Sequence, residues 1–226
     1  MSRNGRLATV LGFFVVAVAL IVVAVSVFLK PGIPGGVVSF TGGTSGQPVS
    51  LTVQTFGALG YGNHPTWVSY MVKSPSGKWI HSTDWELPAN TVINMTVLQY
   101  DSGSPLRNQQ WGQVTGTVGG TANLNGSPIS QYNSNTGNGV GHTFTVPALG
   151  IDVPLVAVPS TSKNICGLAP CGTSFDHNTI TFSFKTPGPG NYSWQCFVPC
   201  GLGYLFGNGG PMSTQGYMGG FLKVVV

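Results

Sequence analysis

Near its C-terminus the chain reads Trp194-Gln195-Cys196-Phe197-Val198-Pro199-Cys200-Gly201-Leu202-Gly203, and a little later Gly216-Tyr217-Met218-Gly219-Gly220. Two thiols four residues apart on a Gly/Pro-rich loop, with a thioether downstream and a strand on each side, make a set of soft donors. Thiolate and thioether ligands favour copper or zinc, and a Met among them leans towards copper. The spacing alone equally allows a Cys196–Cys200 disulfide or a structural pair without metal.

Outward from this loop the sequence alternates with the period of a half-buried strand. Tyr192, Trp194 and Cys196 share one face and bring the first thiol to a strand end, and Phe221–Val226 reads as the closing strand. Ile180, Phe182 and Phe184 point inward from the preceding strand, which Pro187-Gly-Pro-Gly190 ends in a turn. Val49, Leu51 and Val53 repeat the pattern, Thr91–Tyr100 is rich in β-branched residues, and Trp67–Val72 pairs with Lys78–His81 across Ser74-Pro-Ser-Gly77. His142, Phe144 and Val146 line one face of a further strand, with Thr143 and Thr145 on the other and Pro147 ending it. No mid-chain segment has a helical apolar period, so the fold class is all-β.

Between Asp101 and Val140 the composition shifts to Gly, Asn, Ser, Thr and Gln. Trp111, Val114, Val118 and Leu124 predict that this stretch packs down as short strands or a folded flap, since long structureless loops are uncommon in compact domains. Cys166 and Cys171 sit on a Gly/Pro loop with no further ligand at metal spacing, which predicts a disulfide.

The run Leu7–Leu29 carries no charge and would reach roughly 34 Å as a helix, enough to span a bilayer. Arg3 and Arg6 precede it, placing the N-terminus in the cytoplasm and the remainder outside. The sequence after Lys30 lacks a small-x-small cleavage pattern, which argues against a removed signal peptide. The organisation expected is therefore a membrane anchor at 1–30, a Gly/Pro/Ser/Thr linker at 31–47 and one extracytoplasmic domain at 48–226, with an insertion at about 101–140. The expected location is the cell membrane, single-pass.

Charged residues make up 6% of the 226 residues, against about 25% in ordinary soluble proteins. The formal charge of +4 comes mostly from Arg3, Arg6 and Lys30 around the apolar run. Beyond it Lys73, Lys78, Arg107, Lys163, Lys185 and Lys223 nearly balance Asp84, Glu86, Asp101, Asp152 and Asp176. There is no basic footprint for nucleic acid and no acidic patch to steer a basic redox protein. Nucleophile-elbow, zinc-protease and phosphate-loop motifs are absent, and the one close acidic pair, Asp84 and Glu86, reads as a solvated turn. A non-catalytic role follows, with no catalytic residues assigned.

Three segments together resemble a known family. Cys196-x-x-x-Cys200-Gly-x-Gly with Tyr217-Met218 and a short apolar strand looks like the copper loop of haem-copper oxidase subunit II, a cupredoxin with a dinuclear copper centre. Gly141-His142-Thr-Phe-Thr-Val-Pro-Ala-Leu-Gly-Ile151 resembles the segment whose His is a copper ligand there, and Leu87–Val92 resembles the strand start before it. The resemblance implies a cupredoxin-like Greek-key β-sandwich behind one transmembrane helix, and copper ligands His142, Cys196, Cys200 and Met218, with Met212 in reserve. Two departures bear on it. Tyr204 stands where the family has a second His, and roughly Leu205–Gln215 is inserted. Val198 replaces a Glu that contributes only its backbone carbonyl. His64, His81 and His177 do not obviously fill the vacancy.

The implied cofactor is thus copper in an altered or mononuclear site, or a shell whose metal is lost. The implied partner is the membrane-embedded catalytic subunit of a terminal oxidase, with quinol or a small redox protein as electron donor. Three roles follow: an oxidase subunit II with modified copper, a structural subunit II of a quinol oxidase, or a stand-alone membrane-tethered cupredoxin.

Overall fold

The computed structural model describes residues 3–28, 36–42, 46–57, 64–164, 166–167, 169–199 and 210–226. The chain divides into two compact units, Met1–Gly32 and Ile33–Val226. The first holds helix α1 (Arg3–Phe28), whose described side chains from 9 to 24 are exposed. Among the described residues no helix is long and apolar enough to cross a membrane.

The second unit is built of strands. In chain order these are β1 (Val37–Ser39), β2 (Val49–Phe56), β3 (Ser69–Lys73), β4 (Trp79–Ile80), β5 (Asp84–Pro88), β6 (Val92–Gln99), β7 (Ala122–Leu124), β8 (Ser127–Ile129), β9 (Val140–Val146), β10 (Ile151–Val156), β11 (Asn178–Lys185), β12 (Gly190–Gln195) and β13 (Gly219–Val225). They form two mixed sheets, ordered β1-β5-β13-β12-β9-β10 and β4-β3-β2-β6-β11-β7-β8. The all-β expectation holds for this unit.

The alternating residues meet between the sheets. Trp85 of β5, Trp194 of β12 and Phe144 of β9 come from one sheet, and Tyr70, Phe182 and Phe184 from the other. Trp85 stacks on Trp194 at 4.9 Å between ring centroids, and Tyr70 meets Trp194 edge-on at 4.9 Å. Both buried indoles keep a hydrogen-bond acceptor: Trp85 Nε1 donates to the Ser82 carbonyl at 3.1 Å and Trp194 Nε1 to that of Thr83 at 3.0 Å. Large aromatics with satisfied N–H groups dominate the energetics of such a core.

The 101–140 stretch folds as expected. It makes short 3-10 turns at Gln109–Gly112 and Val118–Gly120, and then the β7–β8 hairpin, which pairs through Leu124 with Ile180 of β11. Cys166 and Cys171 form the expected disulfide. The reading of Asp84 and Glu86 as a solvated turn is corrected. Both lie in β5, where Asp84 is buried and accepts the Phe221 N–H at 3.1 Å, and Glu86 pairs with Lys223 at 2.8 Å. Parallel pairing of β5 with β13 supplies partners that the local sequence does not display.

Candidate metal centre

Two strands and two loops converge at one end of this unit. β9 is buried along its whole length, and His142 within it is 3% exposed. β12 runs antiparallel to β9, meeting it at Gln195 opposite Thr145, so that Cys196 emerges beside His142. Cys196 Sγ lies 3.8 Å from His142 Nδ1 and 3.4 Å from the carbonyl oxygen of Val198.

The loop is fixed from both sides. Phe197 N–H donates to Thr143 Oγ1 at 2.9 Å, and Cys196 N–H donates to the Met218 carbonyl at 2.8 Å. Met218 is fully buried in the same apolar cluster as Cys196. The Tyr-Met segment is set by its glycines. Gly216 has φ +88°, and at Gly220 a Cβ would run into the Thr83 carbonyl. Close passage of β13 along the end of β5 therefore requires glycine at 220.

Of the four expected ligands, the structure brings His142 and Cys196 together at 3.8 Å and buries Met218, whose carbonyl accepts the Cys196 N–H. Cys200 lies outside the described residues, as does Tyr204. Met212, the reserve, is buried, and the Pro211 carbonyl before it accepts the Met218 N–H at 2.9 Å. Among the described residues no group of three or more His, Cys, Asp and Glu is placed to hold a metal ion. His64 stacks on Trp67 at 3.7 Å, while His81 hydrogen-bonds Ser69 Oγ at 2.5 Å.

The 3.8 Å separation of Nδ1 and Sγ can be set against that of two donors to one metal. With metal–nitrogen and metal–sulfur bonds of about 2.0 and 2.3 Å, a trigonal angle separates two such ligands by about 3.7–3.8 Å. The imidazole faces the thiol with Nδ1, and its Nε2 is 3.0 Å from Asp101 Oδ2. Burial lowers the His142 pKa, but hydrogen bonds to Asp101 and Cys196 and the negative charges of both outweigh it, raising the value to about 9. A cavity of about 690 Å³ adjoins the cluster, lined by Trp67, Asp101, Gly141, His142, Val198 and Pro211 among others.

No protein-family profile and no curated protein matches the chain. Solved structures that it resembles include a cryo-EM structure of a haem-copper terminal oxidase dimer, at 13% identity over 99% of this chain and 100% of that one, with a TM-score of 0.35. Rusticyanin from Thiobacillus ferrooxidans matches at 16% identity over 88% and 92% of the two chains, with a TM-score of 0.30. Auracyanin B matches at 17% over 86% and 99%, with a TM-score of 0.25.

Asp101, the neighbour of His142, is singled out by no motif, whereas the family resemblance marks position 198 for its backbone carbonyl, which lies 3.4 Å from Cys196 Sγ. A signal for Asp101 exists in retrospect: it is the acidic residue at the start of the polar 101–140 stretch, whose two ends the structure brings together so that Asp101 meets His142.

Proposed function

We propose that this chain is a membrane-anchored cupredoxin that carries electrons through a copper site, as a subunit II-like component of a haem-copper terminal oxidase. The observation that carries this reading is the 3.8 Å pairing of His142 Nδ1 with Cys196 Sγ at the end of two strands. Copper bound there would supply a one-electron couple. The chain's part is to hold donors still. β9 fixes the imidazole, the Thr143 hydroxyl and Met218 carbonyl fix the loop around the thiolate, and the buried Met218 stands as the weak thioether. Cys200 completes the proposed set His142, Cys196, Cys200 and Met218, and the Val198 carbonyl adds a hard donor near the sulfur.

The anchor is proposed from the uncharged run Leu7–Leu29 between Arg6 and Lys30, and the oxidase partner from the family motifs and the near-neutral domain. Metal analysis of the full chain, purified in mild detergent and repeated on Cys200→Ser, tests the site. Bound copper that falls in stoichiometry or affinity on Cys200→Ser supports it. A copper-free protein with a Cys196–Cys200 disulfide would leave a structural subunit of the quinol-oxidase type. Purification as a monomer with copper and no haem protein would favour the stand-alone cupredoxin.

A further inference from the structure

We infer that Asp101 is the positioning residue of this centre: its carboxylate accepts the Nε2–H of His142 and so leaves the Nδ1 lone pair aimed at a metal beside Cys196. The inference rests on the copper reading above. The two ring nitrogens of a neutral histidine cannot both be acceptors, and whichever carries the proton cannot ligate. The His142 ring is too buried to obtain an acceptor from bulk water, at 3% exposure against 26% for the Asp101 side chain. Without the carboxylate, the proton on Nε2 would lack this acceptor, and the alternative tautomer would close the ligand position.

Asp101 is itself held. Its Oδ1 accepts the Ser102 N–H at 2.9 Å, and its carbonyl accepts the Val158 N–H at 3.1 Å, leaving Oδ2 on the imidazole. The residue follows β6, which belongs to the other sheet, so the bond ties the ends of the two sheets together. Glycines make the approach possible. A Cβ on Gly103 would lie 3.0 Å from the Gly141 Cα and 2.8 Å from the Ala157 Cβ, and one on Gly141 would lie 3.3 Å from the Ser102 carbonyl oxygen. A carboxylate behind a metal-bound imidazole fixes its orientation and increases its basicity, and removing such a partner lowers metal affinity by about 10–100-fold.

The test uses the full chain in detergent, with Cu(II) as probe, comparing wild type, Asp101→Asn and Asp101→Ala. Asp101→Ala is expected to bind Cu(II) about 10–100-fold more weakly. Asp101→Asn, whose amide oxygen still accepts, should stay much closer to wild type. If the loss falls on the oxidised state alone, the reduction potential of Asp101→Ala rises by about 60–120 mV, at 59 mV per tenfold for one electron. In the metal-free protein labelled with 15N-histidine, at a pH high enough for the 15N shifts to show a neutral ring, wild type should show the Nε2–H tautomer of His142 and Asp101→Ala a share of Nδ1–H. A folded Asp101→Ala that binds Cu(II) as tightly as wild type would overturn the inference. So would wild-type protein with the proton on Nδ1, a result that needs no variant. Failure of wild type to take copper would instead sink the copper reading, and the tautomer would still decide the role of Asp101.

Discussion

At the scale of single residues the centre depends on groups that no substitution replaces cheaply. Gly220 is the clearest case, because any Cβ there meets the Thr83 backbone carbonyl. Gly220→Ala should cost about 2 kcal/mol or more through forced backbone shifts, read as a lower urea midpoint, and an unchanged midpoint would contradict the close approach. His142 and Cys196 are singled out through the family resemblance, since a lone histidine in a strand reads equally as a buried, hydrogen-bonded residue, and the structure sets the two side chains 3.8 Å apart. Asp101 is not singled out, because its partner His142 lies 41 residues further along the chain. Asp84 was misread for a related reason: its neighbours Gln215 and Phe221 come from the far end of the chain.

At the scale of elements, period-2 alternation located the main strands closely. The strand expected at Thr91–Tyr100 is β6 at Val92–Gln99, and the hairpin across Ser74–Gly77 is β3 and β4. The pairing partners were not legible, because alternation tells which face is buried and not which strand lies alongside. The 101–140 stretch shows this: it extends the second sheet through β7, and its Trp111 stacks on Phe197 at 5.6 Å, directly after Cys196. Trp111→Ala should therefore lower stability by about 1–2 kcal/mol and weaken copper retention, checked by chemical denaturation and by copper release to a chelator. The Cys166–Cys171 bridge closes a loop away from the thiol. Removing it with a double Cys→Ser variant should cost about 2 kcal/mol and leave copper stoichiometry unchanged. Loss of copper in that variant would place the bridge in the wrong role.

At the scale of the whole molecule, three buried groups shape the pH dependence of the metal-free protein. Burial raises the Asp152 pKa to about 6, offset in part by the Thr145 hydrogen bond, so its contribution is full below about 3.8 and is lost as pH rises through 6. Burial lowers His81 to about 4, against a hydrogen bond to Gly216, so its contribution is present above about 6.5 and is lost as pH falls through 4. Between pH 4 and 6 the two slopes oppose, and stability should stay nearly flat. Asp152→Asn should expose the rise due to His81, on the order of 1–2 kcal/mol after allowance for solvent screening, and His142 should add a decline from about pH 6.5 to 9. A steep slope between pH 4 and 6 in wild type would contradict this balance. The low charge of the domain leaves these groups few electrostatic competitors and makes the curve a sensitive readout. The central claim, copper held by Cys196 and His142, is tested most directly by the optical spectrum of the oxidised full chain during Cu(II) addition. The account predicts a visible thiolate-to-copper band that saturates with bound metal and is weakened or shifted in Cys196→Ser; a colourless protein, or a band unchanged by Cys196→Ser, would contradict it.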